Sequence, residues 1–386
     1  MMNRVKFAVI LAVVFILFAI SIAGCTGPSA RGWSGFASND GLIYFGTMKG
    51  EIIAFNPEVR GRGLIFPSED EWEYEIKSSS PSGTLCGIPS CGPTASAPGT
   101  VLYSTPVVGE DLVFTATYSG KIYAFNSATS ALRWVYPREG NENLGAIVAD
   151  LVLDGENLYA VSSNGQLYCL DAATGDFKWT FETSDRIWSS PTVNEGVIYV
   201  GSYDRGLYAI SEQDGSELWK LDLSSAICSP VVVSGNDILF GTFDRNIYAV
   251  DKTKATIKWT FNGGNWFWAA PIVKDEIAYA ACLDSKIYAI NVQNGQQVWQ
   301  FKTDDALVST PVIVNNTIIA ASEAGTVYMI DVSSGVPEKS LSVGSQVMAS
   351  LYVKDNIIYA HARDDSVIAI DLESGTIIWR FTKVEE

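Results

Sequence analysis

The sequence predicts an all-β chain: an eight-bladed β-propeller of four-stranded antiparallel blades. Two observations predict it. A unit of 40 residues recurs down the chain, and each unit holds four short runs of alternating apolar and aromatic residues separated by turn chemistry. A period of that length with four strands per unit is the signature of one propeller blade.

The unit is clearest at residues 188–223, WSSPTVNEGVIYVGSYDRGLYAISEQDGSELWKLDL. WSSPTV reads as the first strand and VIYVGS as the second after an Asn-Glu-Gly turn. LYAIS follows a Tyr-Asp-Arg-Gly turn, and ELWKLD forms the outer strand after Asp-Gly. Ala209 of the third strand has equivalents at Ala54, Ala124, Cys169, Ala249, Ala289, Met329 and Ala369. Trp219 of the outer strand recurs at Trp179, Trp259, Trp299 and Trp379, with Lys339 in the missing place and Trp72 and Trp134 in two looser upstream copies. These tryptophans are expected to lie across the neighbouring blade, each ring buried and its N–H bonded to a carbonyl. The Ala equivalents permit close blade contact. The Asp or Asn two residues on (Asn126, Asp171, Asp251) is placed to accept turn amides. The Gly four residues before the Trp position supplies a positive φ.

The chain before the repeats reads differently. Residues 1–25 carry Arg4 and Lys6, then an apolar run from Phe7 to Ala23, ending Ile22-Ala23-Gly24-Cys25. That is a secretory signal with a small-residue cleavage site. Its end resembles a bacterial lipobox, in which Cys25 is acylated and becomes the new N-terminus. An uncleaved membrane helix is the alternative, since the run is just long enough to span. Both place the folded part outside the cytoplasm, tethered to a membrane. Residues 26–32 form a short tether, and residues 33–386 form one propeller with an inserted loop at about 78–100.

That loop is the largest irregularity, rich in Gly, Pro and Ser and carrying Cys86 and Cys91. In an oxidising compartment such a pair reads as a disulfide staple. A zinc site needs four N or S ligands, and the chain has one His, so no metal is expected. Cys169, Cys228 (read in the place of Ser189) and Cys282 (in the place of Ser202) are expected as buried thiols. Two smaller irregularities are the insertion around Asn141–Gly145 and the aromatic connection Trp266-Phe267-Trp268. With 43 acidic against 26 basic residues the chain repels nucleic acid and anionic headgroups, so neither is an expected partner.

The A-x-[DN]…G-x-x-x-W pattern at this period resembles the tryptophan-docked repeat of the quinoprotein-type, pyrroloquinoline-quinone-like β-propellers. The resemblance covers residues 33–383. It implies the fold and leaves activity open, because the repeat is shared by quinone-dependent dehydrogenases and by non-enzymatic envelope lipoproteins of outer-membrane barrel assembly. The layout, a lipobox followed by eight bare blades, is closest to the latter.

The enzyme reading fails on the residues. The family's alcohol dehydrogenases stack the quinone between a Trp and a disulfide of adjacent cysteines, and no two cysteines are adjacent here. Their Ca²⁺ wants six to eight converging oxygens, whereas Asp150 is the one acid placed on an innermost strand. His361 is expected at an exposed strand end, and Asp364-Asp365 in a solvated turn. No cofactor and no catalytic residue is therefore expected.

A binding reading stands better. The turns between second and third strands share a face with the connections between blades. That face collects Trp266, Phe267 and Trp268 with Asp204, Arg205, Asp244 and Arg245, the composition of a protein-binding surface. The expected partner is a protein of the cell envelope, with the membrane reached through the N-terminal lipid. A small ligand or polysaccharide in the channel, stacking on Trp33, Trp188 and Trp268, is the alternative. Each blade is complete in sequence order, so no strand is expected to cross between the first and last blades.

Overall fold

The computed structural model describes residues 33–68, 70–77, 101–138 and 144–383. Cys25, Cys86 and Cys91, with the signal, the tether and the inserted loop, lie outside the described residues. Eight sheets of four strands follow one another round a ring, each made of consecutive antiparallel strands. Blade one runs from Phe36 to Glu75 and blade eight from Tyr352 to Phe381. Among the described residues no helix is long and apolar enough to cross a membrane.

Blade four shows why the residues recur. Its strands are Thr192–Asn194, Val197–Gly201, Gly206–Ser211 and Glu217–Asp222. The first is shorter than WSSPTV because Trp188-Ser189-Ser190 leaves the ladder, Trp188 and Ser190 lining the central channel and Ser189 staying buried. In sister blades the Ser equivalent to Ser189 replaces the ladder carbonyl with its hydroxyl. Ser229 Oγ takes the amide of Gly241 at 2.6 Å, and Ser34 Oγ takes that of Gly46 at 3.1 Å. Ala209 sits directly opposite Trp219, just before a bulge in the outer strand. The same pairing of small residue with Trp holds in the other blades, except that blade seven pairs Met329 with Lys339. The larger Met faces the position where the ring is missing.

Each tryptophan reaches forward onto the next blade. Trp134 donates to the carbonyl of Ala172 at 3.0 Å, and Trp259 to that of Val292 at 2.7 Å. The ring lies on the glycine of the next turn. Gly175 has φ +70°, and a methyl group there would come within 2.6 Å of Trp134. Two demands therefore meet at that glycine: left-handed backbone and a flush ring. Trp72 and Trp134 are buried, whereas Trp179, Trp219, Trp259, Trp299 and Trp379 are half-buried, their outer edges wet. In blade seven the stem of Lys339 covers Gly375 and its ammonium bonds the Glu373 carbonyl.

The ring closes without a shared strand. Phe36, Phe45 and Phe55 of blade one pack with Tyr359, Trp379 and Phe381 of blade eight. Lys383 bridges Glu51 at 2.7 Å and Glu73 at 2.8 Å. His361, expected at an exposed strand end, is instead 3% exposed. Blade one packs over it, and its Nδ1 donates to the Ser34 carbonyl at 2.9 Å while Nε2 lies 3.2 Å from Asp365. Between the third and outer strands of blade one the hairpin is replaced by a short helix, Pro57–Gly61, with Asn56 as its N-cap. Trp379 docks against Gly61, so the forward pattern carries across the seam.

Candidate functional site

One residue per blade forms a collar in the channel, at the repeat position of Trp188. Four of the eight are aromatic: Trp33, Tyr103, Trp188 and Trp268. Val148, Val308, Met348 and Cys228 complete it. Cys228 thus stands in the place of Trp188, forty residues on, and not in that of Ser189. Two residues deeper, small polar side chains tie blade to blade. Thr105 N donates to Asp150 Oδ1 at 2.6 Å, Asp150 N to Ser190 Oγ at 3.0 Å, Ala270 N to Thr310 Oγ1 at 3.2 Å and Thr310 N to Ser350 Oγ at 3.3 Å. Collar and hydroxyls enclose a cavity of about 100 Å³. Burial pushes the Asp150 carboxyl upward, against hydrogen bonds from Thr105 that lower it. A lone carboxylate whose ionised form is disfavoured does not fit the Ca²⁺ and quinone of the dehydrogenases.

Around the mouth the rings continue outward. Trp188 meets Tyr203 edge-on at 5.1 Å, Tyr203 meets Phe243 at 5.3 Å, and Phe243 meets Trp266 at 4.9 Å. Trp266 is 42% exposed at the end of this arc. Arg186 lies over both Trp188 and Tyr203 at 5.5 Å. Arg205 and Arg245 are exposed on neighbouring turns at φ +73° and +69°. Tyr203, Phe243 and Arg186 were not singled out from the sequence. Their signal was available, because Tyr203 and Phe243 share one repeat position that carries Ser163, Glu323 and Arg363 in other blades.

Four residues expected on this surface are placed otherwise. Phe267 is fully buried. It packs on Phe261 and Tyr288 between blades five and six, because side chains alternate along an extended segment and its neighbours point the other way. Asp204 and Asp244 fasten the turns. Asp204 accepts from Tyr208 OH at 2.6 Å, Gly206 N at 2.8 Å and Ser184 N at 2.9 Å, the last clipping down the connection from blade three. Asp244 accepts from Tyr248 at 2.9 Å, Ser224 at 3.2 Å and Thr242. Trp268 belongs to the collar. The exposed surface is therefore Trp266 with the arginines. Among the described cysteines, Cys169, Cys228 and Cys282 are buried free thiols, and burial pushes them up to about 11, 12 and 12.

The two aspartates give a pH prediction. Burial opposes ionisation of Asp204 and Asp244, but their hydrogen bonds outweigh it and hold both below the usual carboxylate range. A depressed folded pKa contributes stability above the unfolded value near about 3.9, and that stability is lost as pH falls through the folded value. Thermal melts between pH 6 and pH 3 should fall steeply at the acid end. In D204N/D244N that limb should flatten, and stability at neutral pH should drop by about 1–2 kcal/mol. An unchanged acid limb would show that other carboxylates dominate.

Eight four-stranded blades tied by forward-docking tryptophans define a β-propeller of the pyrroloquinoline-quinone-like repeat class. Within that class the chain belongs to the family of the outer membrane protein assembly factor BamB, whose model matches residues 94–181 and 179–381. The BamB of Kangiella koreensis is 24% identical over 177 residues, 45% of this chain and 38% of that protein. The Escherichia coli BamB is 29% identical over 99 residues, 25% of this chain and 24% of that one. The matches thus span well under half the length of these curated relatives. The crystal structure of BamB from Moraxella catarrhalis superposes with a TM-score of 0.67 at 17% identity, covering 87% of this chain and 92% of that one. A computationally designed protein, Ika8, superposes equally well, with a TM-score of 0.69 at 16% identity, covering 89% and 96%. Likeness at that level shows the fold alone.

Proposed function

We propose that this protein is a lipid-anchored, extracytoplasmic and non-catalytic scaffold that docks an envelope protein during outer-membrane protein assembly. The observation that carries the reading is the arc Trp188–Tyr203–Phe243–Trp266 with Arg186, Arg205 and Arg245 beside it. Three arginines stand on one rim beside an exposed tryptophan, Arg186 paired with Asp185 and Arg205 and Arg245 exposed on their turns. Aromatic and Arg side chains dominate the energetics of protein interfaces. Rigid blades hold them in place, so little ordering entropy is lost on docking. Family membership supplies the context, and acylation of Cys25 would raise the local concentration of the rim at the membrane. Asp204 and Asp244 serve by holding the turns that carry the arginines.

The test is a triple variant, W266A/R205E/R245E, which touches none of the turn fastenings. It should melt as the wild type does and fail to co-purify with the outer-membrane protein assembly machinery from solubilised envelopes. A photo-reactive residue at position 266 should cross-link to one component of that machinery in the wild-type background. Undiminished co-purification by the triple variant would remove the rim from the mechanism.

A further inference from the structure

Asp150 is a carboxylate with hydrogen bonds but no countercharge beside it. It is half-buried in the small-residue layer of the channel and lines the cavity beneath the collar. Its Oδ1 accepts from Thr105 N at 2.6 Å, and burial pushes its pKa upward against the hydrogen bonds from Thr105. A charge taken out of water is costly unless it is paired. No Lys or Arg is among the described residues lining the cavity. The rest of the lining suits a cation. Ser190, Thr310 and Ser350 line the same cavity, and each hydroxyl oxygen accepts one backbone N–H, which leaves it a second lone pair. Trp33, Tyr103, Trp188 and Trp268 stand in the collar above.

We propose that the lumen binds a small primary alkylammonium ion, its ammonium on Asp150 and its alkyl stem among the collar side chains. A primary ammonium has three donors and no acceptor, which matches a carboxylate beside hydroxyl oxygens. A quaternary head would leave those acceptors unpaired, and an anion would meet Asp150 with no cation to offset it. One carboxylate balances one charge, whereas Ca²⁺ wants six to eight oxygens. The collar suits methylenes, and an aromatic face within about 6 Å of the charge adds cation–π attraction. Size limits the occupant. A cavity of about 150 Å³ admits benzene, so one of about 100 Å³ takes a stem of a few carbons.

The pairing sets a pH dependence. Alkylamines keep their proton well above neutrality, as Lys does with its value of about 10.4. Tyr103 and Cys228, the other titratable side chains among the described lining residues, are pushed up by burial and stay neutral. Arg186, which lies over Trp188, is paired with Asp185 at 3.5 Å and keeps its charge. Among the lining side chains Asp150 alone therefore changes charge below neutral pH. Affinity is full above its raised pKa and is lost as pH falls through it, at a higher pH than an ordinary Asp near about 3.9 would give.

The full chain is titrated with n-propylamine hydrochloride and separately with n-propanol, at one ionic strength held with NaCl, following heat and tryptophan fluorescence. Propylammonium should saturate, and propanol, the same stem without the charge, should bind at least about tenfold more weakly. Asp150→Asn keeps an Oδ1 acceptor for Thr105 N and removes the charge. It should weaken propylammonium at least about tenfold and flatten the dependence on pH. Met348→Lys puts an ammonium on a stem of similar length in the collar and leaves Asp150 and the blade-to-blade bonds in place. That tethered ammonium should displace the free amine, and this variant decides alone if Asp150→Asn misfolds. No saturation by propylammonium at about 100 mM, where a millimolar site is full, would overturn the proposal. Equal binding of propanol, or wild-type affinity in the folded variant, would do the same.

Discussion

Trp134→Ala should lower the free energy of unfolding by about 3–5 kcal/mol in urea or guanidinium titrations. Trp134 is 9% exposed, lies on Gly175 of blade three, contacts Phe114 at a centroid distance of 5.8 Å and donates to the Ala172 carbonyl. Truncation empties that volume and strips the carbonyl of its donor. The surroundings cannot close the gap, because the glycine beneath has no side chain to move. Trp134→Phe is the informative companion, since it keeps much of the packing and loses the N–H. Its cost should be smaller, by roughly the difference between a cavity and one hydrogen bond. Nearest-neighbour contacts dominate a repeat architecture, so the damage should centre on the interface between blades two and three. An alanine variant within 1 kcal/mol of wild type would show that the docked ring contributes little.

Arg60→Ala should be about as costly, again about 3–5 kcal/mol, for an electrostatic reason. Arg60 and Glu71 form a 2.6 Å ion pair with side chains 3% and 0% exposed. Glu71 also accepts from the amides of Asn56 and Ser68, both at 2.9 Å. Arg60 donates to the Leu64 carbonyl at 2.8 Å and lies over Phe66 and Phe381. Removing the guanidinium leaves a carboxylate in a dry site with its main countercharge gone. Replacing both partners by apolar residues, as in R60M/E71L, should cost much less, because no uncompensated charge remains. Limited proteolysis should find the segment around residues 57–71 opened in the single variant and closed in the double. If single and double variants cost the same, packing on Phe381 and not charge is the dominant contribution.

The repeat made the architecture legible. A fixed spacing of Ala, Gly and Trp is local information, and each member has a local reason to be where it is. What escaped depends on register or on distant chain. Tyr208 donates to Asp204 four residues away across a turn, so the aspartate looked available when it was already engaged. Phe267 was grouped with its flanking tryptophans although period-two alternation alone separates it from them. His361 precedes a charged turn and so looked exposed, yet its burial comes from blade one, 327 residues away in sequence at Ser34. The pairing of Met329 with Lys339 needed the strand register, which the bulge shifts by one residue.

Every sheet is built from its own four consecutive strands, and the seam is one more interface between complete units. Topologically, no blade is first. The same ring is compatible with circular permutation at any connection between blades, provided the tryptophan of one unit still meets the glycine of the next. It is equally compatible with growth by in-frame duplication of a single 40-residue module, since an added blade brings both halves of its own joint. The special pieces of blade one, the short helix over Trp379 and the Arg60–Glu71 pair, then read as an adaptation that lets one particular joint hold without a peptide bond across it.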